Sequence, residues 1–332
     1  MRDSVKKAIA SAICFFLVLF CLEVWARSYY AIKRHISFFA SPDDIAYTWY
    51  PELKRADDYR YMPSRINILL LGGSTLTRDW GSVEPLIRRQ ARKILGRRAN
   101  ILNLAASSHG TPDSLHKYQF IRDRHFDFVI VYHGINETRA NNVPREIFKK
   151  DYSHYAWYEE INFYFRHSYL CKTPFIFPYF LRHLVVQLKK EILCKDCYVP
   201  ENSPRKGWLR FGKDIKSEET FRNNLIRIID LAQARHEPLI IPTFAYYKTA
   251  VSTGTGEPNM EFTKIWGRFE NVKAGIEAHD VVIRRLAENK NFIFVDMERL
   301  MDNDKSYFKD ICHFTARGSR FFADNVVEKM KR

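Results

Sequence analysis

Several common signals are missing from this sequence of 332 residues, and each absence removes a class of protein. Six cysteines in a chain of this length do not make the dense disulfide framework that staples small secreted domains. Cys194-Lys195-Asp196-Cys197 has the spacing of a metal or redox pair, with His167, Cys171 and His183 upstream. A zinc site needs a second close pair, and none accompanies it. In an exported domain, a disulfide among Cys171, Cys194 and Cys197 is the expected use of these thiols. No aromatic–basic RNA motif is present, and the Lys and Arg residues behind the net charge of +15 are spread along the whole chain. That charge therefore reads as solvated surface suited to anionic surroundings, with no nucleic-acid partner. Gly254-Thr255-Gly256 neither closes a phosphate-binding fingerprint nor opens a helix. No internal repeat and no low-complexity tract appears.

What is present begins at the amino terminus. Arg2, Lys6 and Lys7 precede an apolar segment from Ala8 to Leu22, which Glu23 interrupts and Val24-Trp25-Ala26 resumes. The length is near the lower limit for a spanning helix, and Val24-Trp25-Ala26 also reads as a small-residue cleavage site. Bulky Phe15, Phe16 and Phe20, with Trp25, Tyr29 and Tyr30 at the far end, favour an uncleaved membrane anchor over residues 1–26. Either route exports the bulk of the protein. Residues 27–65, with Pro42, Pro51 and Pro63, read as a polar, aromatic-rich connector that packs loosely.

From residue 66 onward the apolar pattern is that of a parallel sheet with helical crossovers. Ile66–Leu71 is a continuous apolar run stopped by Gly72-Gly73, as expected for a strand buried on both faces. Asn100–Leu104, Phe126–Tyr132, Pro238–Phe244 and Phe292–Asp296 read as further strands. Helices are expected near Val83–Leu95, Leu115–Arg124, Glu218–Arg235, Phe262–Asn289 and Ala316–Lys331. From about 140 to 215 the rhythm breaks into a stretch rich in Tyr, Phe, Pro and Lys. It is expected to be an insertion over the face that carries Ser74, with a membrane-contacting surface as the competing view.

Chemistry-bearing residues lie where these strands end. In open α/β sheets ligands sit outside the carboxyl ends of the strands, which is where Ser74 falls; the plainer reading makes it a helix cap. A serine hydroxyl needs a general base, and histidine, titrating near neutral pH, is the natural one. Asp310 and His313, three residues apart, meet the demand for an imidazole held in one tautomer by a carboxylate. Alternatively, they are a capping Asp and a half-buried His before the last helix. An oxyanion would need donors, and the backbone N–H groups of Ser74 and Gly110 with the side-chain amide of Asn136 would supply them from separate loops. His133, Arg78 and Asp79 are candidates for the rim, His133 as a strand-end residue without a catalytic role. Cys312 reads as a small buried hydrophobe.

The order of the blocks adds a further argument. Gly72-Gly73-Ser74 after the first strand, Gly110 after the second, Gly134-Ile135-Asn136 after the third and Asp310-x-x-His313 before the final helix resemble the SGNH (GDSL-like) hydrolase superfamily. The resemblance covers residues 64–137 and 290–330. It implies a flavodoxin-like three-layer α/β/α domain over residues 66–332, with Ser74 as nucleophile, His313 as base and Asp310 as orienting acid. It also implies Ser74, Gly110 and Asn136 as oxyanion donors, with no cofactor or metal in the site. Gly73 stands where the family more often has Asp, and Glu137 where it has Asp after the Asn; the Gly-Gly-Ser-Thr version looks like a membrane-anchored branch. The expected function is a membrane-anchored, extracytoplasmic serine esterase that removes or transfers acyl groups, acetyl among them, on a cell-surface glycan or lipid-linked substrate. The alternative is a non-catalytic surface protein binding a glycan or an anion in the same cleft.

Overall fold

The computed structural model describes residues 2–78, 80, 82–167, 174–200, 204–248 and 264–331. The chain divides into two compact units, Met1–Pro51 with Tyr155–Tyr198, and Glu52–His154 with Val199–Arg332.

In chain order the helices are α1 (Arg2–Arg34), α2 (Asp43–Trp49), α3 (Val83–Leu95), α4 (Thr111–Phe120), α5 (Ala156–His167), α6 (Phe177–Leu188), α7 (Ser217–Ala234), α8 (Phe269–Asn289), α9 (Met297–Met301) and α10 (Ala316–Glu328). The strands are β1 (Ile66–Gly72), β2 (Ala99–Asn103), β3 (Phe128–Tyr132), β4 (Leu239–Pro242) and β5 (Ile293–Val295).

The larger unit is built on a five-stranded sheet in the order β2-β1-β3-β4-β5, every pairing parallel. This is the doubly wound flavodoxin-like order, and its direction reverses between β1 and β3. All seven residues of β1 are buried, as its unbroken apolar run requires of a strand covered on both faces. Each Leu or Ile so buried contributes about 1.5–3 kcal/mol. Helices α3 and α10 pack together on one side of the sheet, and α4 packs on α7 and α7 on α8. The result is three layers.

Several boundaries differ from the sequence reading. Helix α4 starts at Thr111 and not at Leu115, because Pro112 sits in the first turn, where its missing N–H costs nothing, and Asp113 Oδ2 accepts from Gly110 N at 2.7 Å. Helix α8 is described from Phe269; the Gly254–Gly256 loop lies outside the described residues.

The smaller unit is helical. Helix α1 runs to Arg34, eight residues past the expected end of the apolar segment. Ile45, Ala46 and Tyr50, in the stretch expected to pack loosely, are fully buried or nearly so. Asp43 accepts a hydrogen bond from the Tyr164 hydroxyl at 3.1 Å, and Tyr50 meets Phe165 at 6.1 Å between ring centroids. A long chain separation is thus closed by aromatic packing. Cys194 and Cys197 form a disulfide; Cys171 lies outside the described residues.

Candidate active site

Ser74 stands directly beyond the carboxyl end of β1. The strand ends at Gly72, and Ser74–Leu76 forms a single 3-10 turn closed by Thr77, whose N–H and hydroxyl both donate to Ser74 O, at 3.0 and 2.8 Å. As the first residue of that turn, Ser74 has a backbone N–H with no partner inside it. β3 lies beside β1 at the sheet's switch point and carries Asn136 at its own carboxyl end. The loop after β2 brings His109 and Gly110.

The remaining piece comes from 236 residues further along than Ser74, counted from 74 to 310. The chain between β5 and α10 folds into a tight loop, in which Phe308 bridges to Phe314 and Lys309 N–H donates to His313 O at 2.7 Å. Within it, Asp310 Oδ1 accepts the N–H groups of Cys312 and His313 at 2.9 and 2.8 Å, which leaves Oδ2 for the imidazole Nδ1 at 2.7 Å. The other ring nitrogen, Nε2, is 2.8 Å from Ser74 Oγ. Partial burial pushes the Asp310 carboxyl up, but the hydrogen bonds from the His313 ring and from the two backbone N–H groups outweigh it and hold the pKa below the usual carboxylate value. A carboxylate, an imidazole and a hydroxyl in that order make a path along which the Ser74 proton can move to Nε2 while the positive charge stays neutralised.

Asn136 is buried, and its Nδ2 donates to His109 O at 2.7 Å. An amide nitrogen carries two hydrogens, so one remains after that bond. A Cβ placed on Gly73 would come within 2.5 Å of Asn136 Nδ2, so only glycine lets the two loops approach this closely. The aspartate more usual at this position in the resembling family has no room beside this Asn136.

Gly110 departs from expectation. Its N–H, expected among the oxyanion donors, is committed to Asp113 Oδ2 at 2.7 Å. The reason is local: with an acid three residues into α4, the first-turn donor has an intramolecular acceptor. The Gly110-Thr111-Pro112-Asp113 pattern carried that signal in the sequence. Beneath it lies Glu137, fully buried, accepting from Thr111 N–H. Burial pushes its carboxyl up to about 7, partly offset by the Thr111 hydrogen bond.

Among the candidates for the rim, His133 is buried, with Nε2 2.7 Å from Ser114 Oγ, and burial pushes its pKa down to about 3. Arg78 forks onto Glu84 at 2.9 and 3.0 Å. Asp79 lies outside the described residues. Two features had no counterpart in the sequence reading. The Trp80 ring stacks on the His313 imidazole, with centroids 4.4 Å apart and planes 17° from parallel. Lys117, fully buried, pairs with Glu52 at 2.5 Å and reaches His109 Nδ1 at 2.7 Å behind the loop that carries Gly110. Neither is marked by local spacing.

Among the described residues, Asp310, Cys312 and His313 place donor atoms within 4.8 Å of one another, the spacing of a metal-binding group. Both nitrogens of His313 are already engaged, and burial pushes the Cys312 thiol well up, which disfavours the thiolate that a metal would need. These atoms fit a proton path better than a metal.

No family model matches the chain, and no curated protein matches it. Among solved structures, the chain is similar to a GDSL-like lipase from Bacteroides thetaiotaomicron, with 13% identity, 86% of this chain and 97% of that one covered, and a TM-score of 0.47. A putative acylhydrolase from Bacteroides fragilis covers 85% of this chain and 94% of its own, at 13% identity and a TM-score of 0.45. An acetylxylan esterase from Geobacillus stearothermophilus covers 82% and 97%, at 12% identity and a TM-score of 0.43.

Proposed function

We propose that this protein is a membrane-anchored serine esterase whose catalytic unit lies outside the cytoplasm. The observation that carries the reading is the position of His313, with Nε2 2.8 Å from Ser74 Oγ and Nδ1 2.7 Å from Asp310. Ser74 Oγ attacks an ester carbonyl while Nε2 takes its proton, and the imidazolium is stabilised by Asp310. The developing oxyanion accepts from Ser74 N–H and from the remaining amide hydrogen of Asn136. Gly110 N–H joins them only by leaving Asp113. The tetrahedral intermediate collapses with expulsion of the alcohol, which takes the proton from Nε2, and leaves an acyl-Ser74 ester. Water releases the acid by the same route; a sugar hydroxyl in its place gives acyl transfer.

Support for the anchor comes from α1, the one described helix long and apolar enough to cross a membrane. From Asp3 to Cys21 it is exposed throughout, with Ile13, Phe16 and Phe20 more than half accessible. The Cys194–Cys197 disulfide suits an oxidising compartment beyond that membrane. An anchored, exported esterase acts on what the membrane holds near it. The substrate class proposed is therefore an acylated cell-surface glycan or a lipid-linked molecule, with acetyl among the acyl groups. The test is a fluorophosphonate probe on the full chain in detergent or nanodiscs. The expected result is covalent label on Ser74, absent in Ser74→Ala and accompanied by turnover of short-chain aryl esters. Folded protein that takes no label overturns the reading.

A further inference from the structure

The uninterrupted apolar run of α1 is shorter than the bilayer that the helix is proposed to cross. From Ala8 to Leu22 it measures about 22 Å at ~1.5 Å per residue, against a hydrocarbon core of about 30 Å. The missing length is roughly five residues, which reaches Arg27. At that level the smaller unit has a distinctive construction.

Arg27 spends its guanidinium on protein oxygens. Nε donates to Glu23 Oε1 at 2.7 Å, Nη1 to Phe38 O and Ala40 O at 2.9 and 3.0 Å, and Nη2 to Pro174 O at 2.8 Å. Glu23 in turn accepts Ile176 N–H and Phe177 N–H at the start of α6, each at 2.9 Å. Both charges are thereby paired and their polar atoms satisfied, the condition under which an ion pair is tolerated near hydrocarbon. The same guanidinium staples two separate loops to α1, and each presents an aromatic ring outward: Phe39 is 87% exposed and Phe175 is 52% exposed. Trp25, on α1 itself, is 54% exposed, with its ring against Phe180 of α6. Nearly two turns beyond Arg27 along the helix come the exposed residues Lys33 and Arg34, about 10 Å further out, where lipid headgroups would lie.

We infer that Trp25, Phe39 and Phe175 form an aromatic collar that seats the smaller unit in the bilayer interface, at the level where the uninterrupted apolar run of α1 gives out. The inference rests on the reading of α1 as a spanning helix. Aromatic rings favour the headgroup level, and a short span is accommodated by burying flanking groups or thinning the bilayer. Here the flanking groups are preset by Arg27. Its consequence is that the smaller unit is held against the membrane surface rather than swinging on a flexible stalk.

The test uses the full chain in nanodiscs, with Cys14, Cys21, Cys171 and Cys312 changed to serine and a single cysteine introduced by Phe16→Cys, Phe39→Cys, Phe175→Cys or Arg89→Cys. Each is labelled with an environment-sensitive fluorophore and titrated with lipids brominated near the headgroup or deep in the acyl chain. The expected result is that the probes at positions 39 and 175 are quenched several-fold more than the one at 89, and most by headgroup-proximal bromine. The probe at position 16 should respond most to deep bromine. Probes at 39 and 175 that match the one at 89 while position 16 is quenched overturn the collar and leave the span standing. Probes at 39 and 175 that are shielded yet unquenched mean a protein contact in place of lipid, and overturn it too. An unquenched probe at position 16 removes the spanning helix and the collar with it.

Discussion

Asn136 Nδ2 lies 2.5 Å from the point a side chain on Gly73 would first occupy. The two residues follow neighbouring parallel strands, and the sheet's switch point brings their loops together beside Ser74. Gly73→Ala should therefore displace the Asn136 amide rather than unfold the protein. We expect kcat to fall by about 10–1,000-fold, the scale of losing one oxyanion donor, with Tm shifted by only a few degrees. Ester turnover measured with thermal unfolding on the same preparation checks this.

Asp310 holds the imidazole at Nδ1 and also gathers two backbone N–H groups. In Asp310→Asn an amide can keep accepting from the backbone, but it cannot hold the imidazolium as a carboxylate does. We expect a loss of about 100- to 10,000-fold in kcat with KM little changed. Fluorophosphonate labelling of Ser74 should slow in parallel, and labelling at the wild-type rate would contradict the assigned role.

Glu137 makes stability depend on pH in an unusual direction. Its folded pKa is raised, to about 7 from an ordinary 4.5, so the neutral form is the one the fold favours. Its contribution is fully present below about 4.5, declines as pH rises toward 7, and is lost above that. The gap corresponds to roughly 3 kcal/mol. Glu137→Gln keeps an acceptor for Thr111 N–H and removes the titration. We expect the variant to match wild type near pH 4.5 and to exceed its stability by up to about 3 kcal/mol at pH 8, read from urea unfolding.

Lys117 and Glu52 are a buried ion pair behind the His109 loop. Lys117→Met leaves the Glu52 carboxylate without its cation in the interior, at a cost of about 3–5 kcal/mol. Replacing both, with Glu52→Leu added, should recover most of that loss. Denaturant unfolding of the single and double variants checks it, and a harmless single variant would contradict the pairing.

Much of the sheet was legible because its signal is local. An unbroken apolar run ending at Gly72-Gly73 can be little else than a doubly covered strand, and β1 is that. The candidate site residues were picked out on a related signal, since Ser74, Gly110 and Asn136 follow strands and Asp310 and His313 precede the last helix. What failed to show was which hydrogen bonds those groups make. The Gly110 N–H looked available until the first turn of α4 supplied Asp113, and Trp80 carried no spacing that pointed to His313.

The sequence by itself determined the apolar amino-terminal segment, the parallel strands, the placing of Ser74, Gly110 and Asn136 just beyond them and that of Asp310 and His313 before the last helix, because these follow from hydropathy period and turn chemistry within a few residues. Only the tertiary structure decided that Nε2 of His313 meets Ser74, that Trp80 stacks on His313 and that Arg27 ties the Pro174 loop to α1. Such contacts join segments far apart in the chain, and no local propensity encodes the register in which packed elements finally meet.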